Sequence, residues 1–119
     1  EVEWERAARG ADAREYPHGS TLLPSDADFD RTYDKEDEAM GPDEVGSFPA
    51  SRSPFGVDDL AGNAYEWTTS ASAPGKYIAR GGSFFYDATT ARLSNRTAID
   101  RTARDVSLGV RLCITEEDQ

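Results

Sequence analysis

The clearest periodicity lies at the start of the chain. Trp4, Ala7 and Ala8 recur at helical spacing with charged residues between them, and this single apolar stripe predicts a helix over Val2–Arg9. Gly10 follows as a stop, and Glu1 and Glu3 stand where a helix dipole favours negative charge. Trp4 is then a core anchor with no chemistry of its own. Residues 11–23 lose the period and read as irregular chain, with Tyr16-Pro17-His18-Gly19 as a turn. Residues 45–55 contain two prolines and lead onward as extended chain. Short apolar runs at residues 77–79 and 84–86 predict strand on either side of Gly81-Gly82, where missing side chains let another backbone approach. Residues 91–96 read as a further strand with Leu93 inward. Leu108, Val110, Leu112 and Ile114 alternate with Gly109, Arg111 and Cys113, the pattern of a strand with one buried face. Residues 116–119 form a frayed acidic tail.

Between these elements lie two loops that carry candidate chemistry. The run from Gly56 to Trp67 places the carboxylates of Asp59 and Glu66 around a turn at Gly62. A hard cation takes several oxygens at about 2.3–2.6 Å, from carboxylates and carbonyls together. Such a turn can aim carbonyls inward while the two acids close the shell. The alternative is that Glu66 is a buried strand residue paired with an arginine. The second loop, residues 24–47, is acidic. Asp26-Ala27-Asp28-Phe29-Asp30 begins like an EF-hand with Asp37 in the twelfth place, but the sixth place is Arg31 instead of the glycine that makes the sharp turn. An EF-hand is rejected.

Composition narrows the function classes. The 119 residues carry 23 acids against 13 bases, a formal charge of −10, which disfavours non-specific nucleic-acid binding. The charge is uneven: residues 26–44 hold nine acids and two bases, and residues 76–111 hold seven bases and three acids. These are either two solvated faces, or a cation-binding loop beside an arginine-rich region that ties loops down. The single cysteine, Cys113, excludes an intrachain disulfide. His18, the only histidine, has no recognisable nucleophile beside it and is read as structural. No membrane-spanning run is visible and no membrane partner is expected; the compartment stays open.

Several motifs occur together in one order. Glu1-Val2-Glu3-Trp4-Glu5-Arg6-Ala7-Ala8-Arg9-Gly10, Tyr16-Pro17-His18-Gly19, the run from Gly56 to Trp67, Arg80-Gly81-Gly82-Ser83-Phe84 and Leu108-Gly109-Val110-Arg111-Leu112 resemble the formylglycine-generating enzyme (sulfatase-modifying factor) family. The resemblance covers the second half of that family's domain. It implies an α+β, C-type-lectin-like fold with little regular secondary structure, of which residues 1–119 are the C-terminal half. An N-terminal half, as a separate chain, is the expected partner, because a chain with 37% hydrophobic residues and ten glycines is short of core.

The same resemblance implies calcium. One shell would use the side chains of Asp28 and Asp37 with carbonyls of Phe29 and Ala39. The other would use the side chains of Asp59 and Glu66 with carbonyls of Gly62 and Ala64. The family's enzymes oxidise a substrate cysteine with copper held by two cysteines, at the third and eighth places after the serine of Gly-Gly-Ser. Those places are Tyr86 and Ala91 here, and neither supplies the soft thiolate that such chemistry needs. The expectation is therefore a calcium-stabilised, catalytically inactive module that binds a protein or small ligand. Phe85 and Tyr86 would be its anchors, on a face made by the loops at residues 85–90, 97–100 and 105–107. One of Phe84 and Phe85 is core. The rival is a metal-dependent oxidase or sulfoxide synthase completed by the other half.

Overall fold

The computed structural model describes residues 1–114; the acidic tail at residues 116–119 lies outside them. Helix α1 spans Val2–Arg9, as its apolar stripe requires, and ends at Gly10, whose N–H donates to the Arg6 carbonyl. Its inner face buries Trp4 and Ala8. Four strands follow: β1 (Tyr65–Ala73), β2 (Lys76–Arg80), β3 (Thr97–Asp100) and β4 (Leu108–Gly109). They form one mixed sheet in the order β3-β2-β1-β4. β1 and β2 are an antiparallel hairpin with Glu66 opposite Arg80, β3 is antiparallel to β2, and β4 is parallel to β1 with Tyr65 opposite Leu108.

Two apolar clusters tie the helix and the long loops to one another. Trp4, Ala8, Leu60 and Leu93 form one, with Val57 against it. Tyr16, Ala27, Phe29, Ala61 and Ala91 form the other. Arg80, 1% exposed, ties helix to sheet: its guanidinium reaches Glu1 at 2.6 Å, Glu5 at 3.1 Å and the Leu93 carbonyl, and lies 5.2 Å from the centroid of the Trp4 ring. A buried guanidinium needs this many partners because desolvating it unpaired costs several kcal/mol. His18 is structural in its contacts, 3.2 Å from Asp26, and Tyr16 and Gly19 exchange backbone hydrogen bonds across the predicted turn.

The close approach expected at the Gly-Gly pair is present. Gly82 has φ 73°, and a Cβ there would stand 2.9 Å from the backbone of Ala91. The strands expected beside it are not all present. Residues 77–79 lie inside β2, but residues 84–86 are turn and residues 91–96 are successive turns. Local bonds explain this: Ala91 N–H donates to the Ala88 carbonyl and Asn95 N–H to that of Arg92. Leu93 is nonetheless wholly buried. β3 occupies residues 97–100, read from sequence as loop, and residues 45–55 contain a short 3₁₀ turn at Pro49–Ser51.

The largest correction concerns the chain after residue 107. Only Leu108–Gly109 is strand, and Val110, Leu112 and Ile114 are 72%, 85% and 72% exposed. The polar member of the alternation faces inward instead. Arg111 donates to both oxygens of Glu66 and to the Asp58 carbonyl, so its apolar neighbours point away from the molecule.

Candidate functional site

The loop at residues 59–63 is built by left-handed backbone. Asp59, Gly62 and Asn63 have φ of 59°, 72° and 66°. Gly62 is obligatory, since a Cβ there would lie 2.3 Å from the Asp28 carbonyl oxygen. Gly62 N–H donates to the Gly81 carbonyl, Asn63 N–H to that of Asp28, and Phe84 N–H to that of Asn63. The acidic loop, the central turn and the chain after the Gly-Gly pair are thereby locked together.

The two acids of this run are buried, but each already has partners. Glu66 Oε2 accepts from Trp4 Nε1 at 2.8 Å and Arg111 Nε at 2.9 Å, and Oε1 accepts from Arg111 Nη2 at 2.7 Å. Asp59 Oδ2 accepts from the Gly46 N–H at 2.6 Å. The charge that would have called for an ion at Glu66 is balanced by Arg111. The pairing is the one the alternative reading describes, a buried strand carboxylate facing an arginine. Among the described residues no group of three or more His, Cys, Asp or Glu is gathered as a metal cluster.

Asp28 is different. It is 2% exposed, and its Oδ2 accepts a 3.2 Å bond from the Asp43 N–H. Burial pushes its carboxyl up to about 7, and the charges of Asp43 and Asp59 push the same way. Asp28, Phe29 and Ala39 together line a cavity of about 10 Å³, room for one water-sized sphere. Three of the four residues expected in this shell thus line one small cavity, which Lys35 also lines. Asp37 is exposed and lines a neighbouring, larger cavity. Asp43 and Asn63 were not expected here; Asp43 N–H also donates to Asn63 Oδ1 at 2.7 Å, a contact between residues 20 apart with no local signature.

That larger cavity, about 630 Å³, opens where the two expected anchors lie. Phe84 is the core residue of its pair, whereas Phe85 and Tyr86 are 45% and 43% exposed. Tyr86 stacks edge-on with Phe85 at 5.3 Å and with Tyr65 of β1 at 5.8 Å. Met40 and Gly41 from the acidic loop and Asp105, Val106 and Ser107 close the other walls. A second cavity of about 490 Å³ lies on the sheet beside Tyr65, Thr97, Ile99 and Leu108. Tyr86, Asp105 and Ser107 border both. The loops expected to form a face therefore do converge. Asp105 caps its own turn through bonds to Ser107 N–H and Oγ at 2.8 and 2.6 Å, which hold its carboxyl below the usual range.

A model of the sulfatase-modifying factor enzyme 1-like domain matches residues 1–116. The chain belongs to this family. Hercynine oxygenase of Mycobacterium tuberculosis is 32% identical to it over 94% of this chain and 31% of its own length. The formylglycine-generating enzyme of the same organism is 37% identical over 62% of this chain and 27% of its own. The inactive C-alpha-formylglycine-generating enzyme 2 of Mus musculus is 36% identical over 62% and 26%. The chain thus spans less than a third of these relatives. In structure it resembles Treponema denticola variable protein 1, with a TM-score of 0.78 and 23% identity over 92% of this chain and 44% of that one. PvdO from Pseudomonas aeruginosa gives a TM-score of 0.75 and 22% identity over 92% and 48%. The α+β fold of the formylglycine-generating enzymes is thereby established for the sulfatase-modifying factor-like chain. The two positions at which the resemblance implies copper-binding cysteines are an aromatic wall, Tyr86, and a core alanine, Ala91, 1% exposed. Cys113 is exposed elsewhere.

Proposed function

We propose that this sulfatase-modifying factor-like chain is a catalytically inactive module of its family, stabilised by calcium, which binds a protein or small ligand at the face around Phe85 and Tyr86. The observation that carries it is the replacement of both thiolate positions. A phenol stands at one, and the other is filled by a methyl group packed among Tyr16, Phe29 and Ala61. A calcium ion would be held by the Asp28 carboxylate with carbonyls of Phe29 and Ala39, where it would compensate a buried negative charge. Support for a companion half of the domain comes from the outward apolar row of Val110, Leu112 and Ile114, which follows the edge strand β4, since an exposed apolar row suits a neighbour.

The second reading, a metal-dependent oxidase or sulfoxide synthase, draws on the match to hercynine oxygenase along most of this chain. A turnover assay with copper(I), oxygen and a cysteine-containing peptide tests the oxidase form of this reading. No aldehyde is expected beyond the background of the peptide alone. Multiple turnovers would establish the enzyme reading.

A further inference from the structure

Resting on the ligand-binding reading above, we infer that the 630 Å³ cavity selects an organic cation with an apolar body, either a free alkylammonium compound or the side chain of a lysine in a peptide. The argument is charge complementarity on an apolar floor. Phe84, Phe85, Tyr86 and Val106 give the cavity its apolar walls, and Asp37 and Asp105 supply two carboxylates; among the described residues lining it, none is basic. A cavity of this size suits a small organic molecule or one side chain with its neighbours. An anion entering it would meet two like charges in a chain already at −10.

The molecule also shows what such a cation would do there. The ammonium of Lys35 lies 5.0 Å from the centroid of the Phe85 ring, within the range of a cation–π contact. Lys35 is placed there by left-handed backbone at Asp34 and itself, φ 50° and 57°. Phe85 therefore already meets a positive charge beside the small cavity that Lys35 lines, and its half-exposed ring offers the same kind of contact to a ligand cation in the larger one. The adjoining 490 Å³ cavity has Arg104 among its lining residues, so the positive end of a ligand belongs in the first cavity.

The test compares isosteres that differ in charge, by NMR titration of the full chain at 150 mM salt. Choline is set against 3,3-dimethylbutanol and 3,3-dimethylbutyrate, and N-acetyl-lysine methylamide against its norleucine counterpart. The cation of each set is expected to bind at least about tenfold more tightly than its uncharged isostere. Shifts centred on Phe85 and Tyr86 locate the site. Asp37→Asn, at an exposed position that does not endanger folding, is expected to weaken cation binding about threefold to tenfold without changing binding of the alcohol. Lys35→Gln is expected to strengthen it severalfold. Preference for choline points to a free small molecule, and preference for the lysine amide to a peptide; either supports the cation. Equal binding of charged and uncharged isosteres, or tighter binding of the butyrate, overturns the cation while leaving a ligand cavity. Absence of binding by every probe overturns the cation and the ligand-binding reading together.

Discussion

Two buried carboxylates illustrate how differently one charge is treated at neighbouring positions. Glu66 is paired with Arg111, and truncating that guanidinium leaves the acid buried beside only the Trp4 indole. Arg111 is about a third exposed, so water offsets part of the loss. Arg111→Ala is expected to cost about 2 kcal/mol, read as a fall in denaturation midpoint. An unchanged midpoint would mean that the pair contributes nothing. Among the described residues no cation pairs with Asp28, and its folded-state value near 7 stands above the ordinary 3.8. A raised value means that the folded state holds the proton more tightly. The contribution is therefore fully present below about pH 4 and is lost as pH rises through 7. In chelator, Asp28→Asn is expected to stabilise the protein by on the order of 2 kcal/mol at pH 8 and to change little at pH 4. A variant equally stabilised, or destabilised, at both pH values would contradict this. Residue-scale reading of the sequence singled out Asp28, Glu66, Phe85 and Tyr86 as candidates, because carboxylates and aromatics around glycine turns are conspicuous. It did not find the partners that decide their chemistry. Arg111 is 45 residues from Glu66 and Asp43 is 15 from Asp28, and no local pattern joins them.

At the scale of elements, the helix was legible because its stripe and its glycine stop are both local, and Trp4 has no alternative to burial. The segments after Gly82 were not. Their apolar residues are buried by turns closed between residues three apart, and β3 is a polar edge strand whose four residues alternate between exposed and half-buried. The terminal row was read with its faces reversed, since alternation fixes which residues share a side but not which side is inward. Gly62→Ala tests the central turn. Left-handed backbone and a 2.3 Å clash with the Asp28 carbonyl predict a loss of more than about 2 kcal/mol, or no folded protein. A wild-type melting curve would show that the turn can relax. Leu112→Glu tests the opposite expectation. At an 85% exposed position, it should leave the stability of the isolated chain within about 0.5 kcal/mol, while abolishing co-purification with a companion half of the domain. Retained co-purification would place that half elsewhere.

For the whole molecule, the account depends on how a family scaffold is furnished. The order of motifs along the chain was enough to expect the fold, because each motif sits where two loops must touch: Gly62 against Asp28, Gly82 against Ala91. The absence of thiolates at Tyr86 and Ala91 was equally legible, and the structure adds that one place is wall and the other core. Among the described residues no helix is long and apolar enough to cross a membrane. What sequence could not show is that the loops beyond these positions enclose two cavities around Tyr86. The metal content of the purified protein, measured by elemental analysis after exposure to calcium, copper and iron and removal of excess, tests the central claim most directly. Calcium retained without either redox metal is the predicted result, and copper or iron at one equivalent per chain would contradict it.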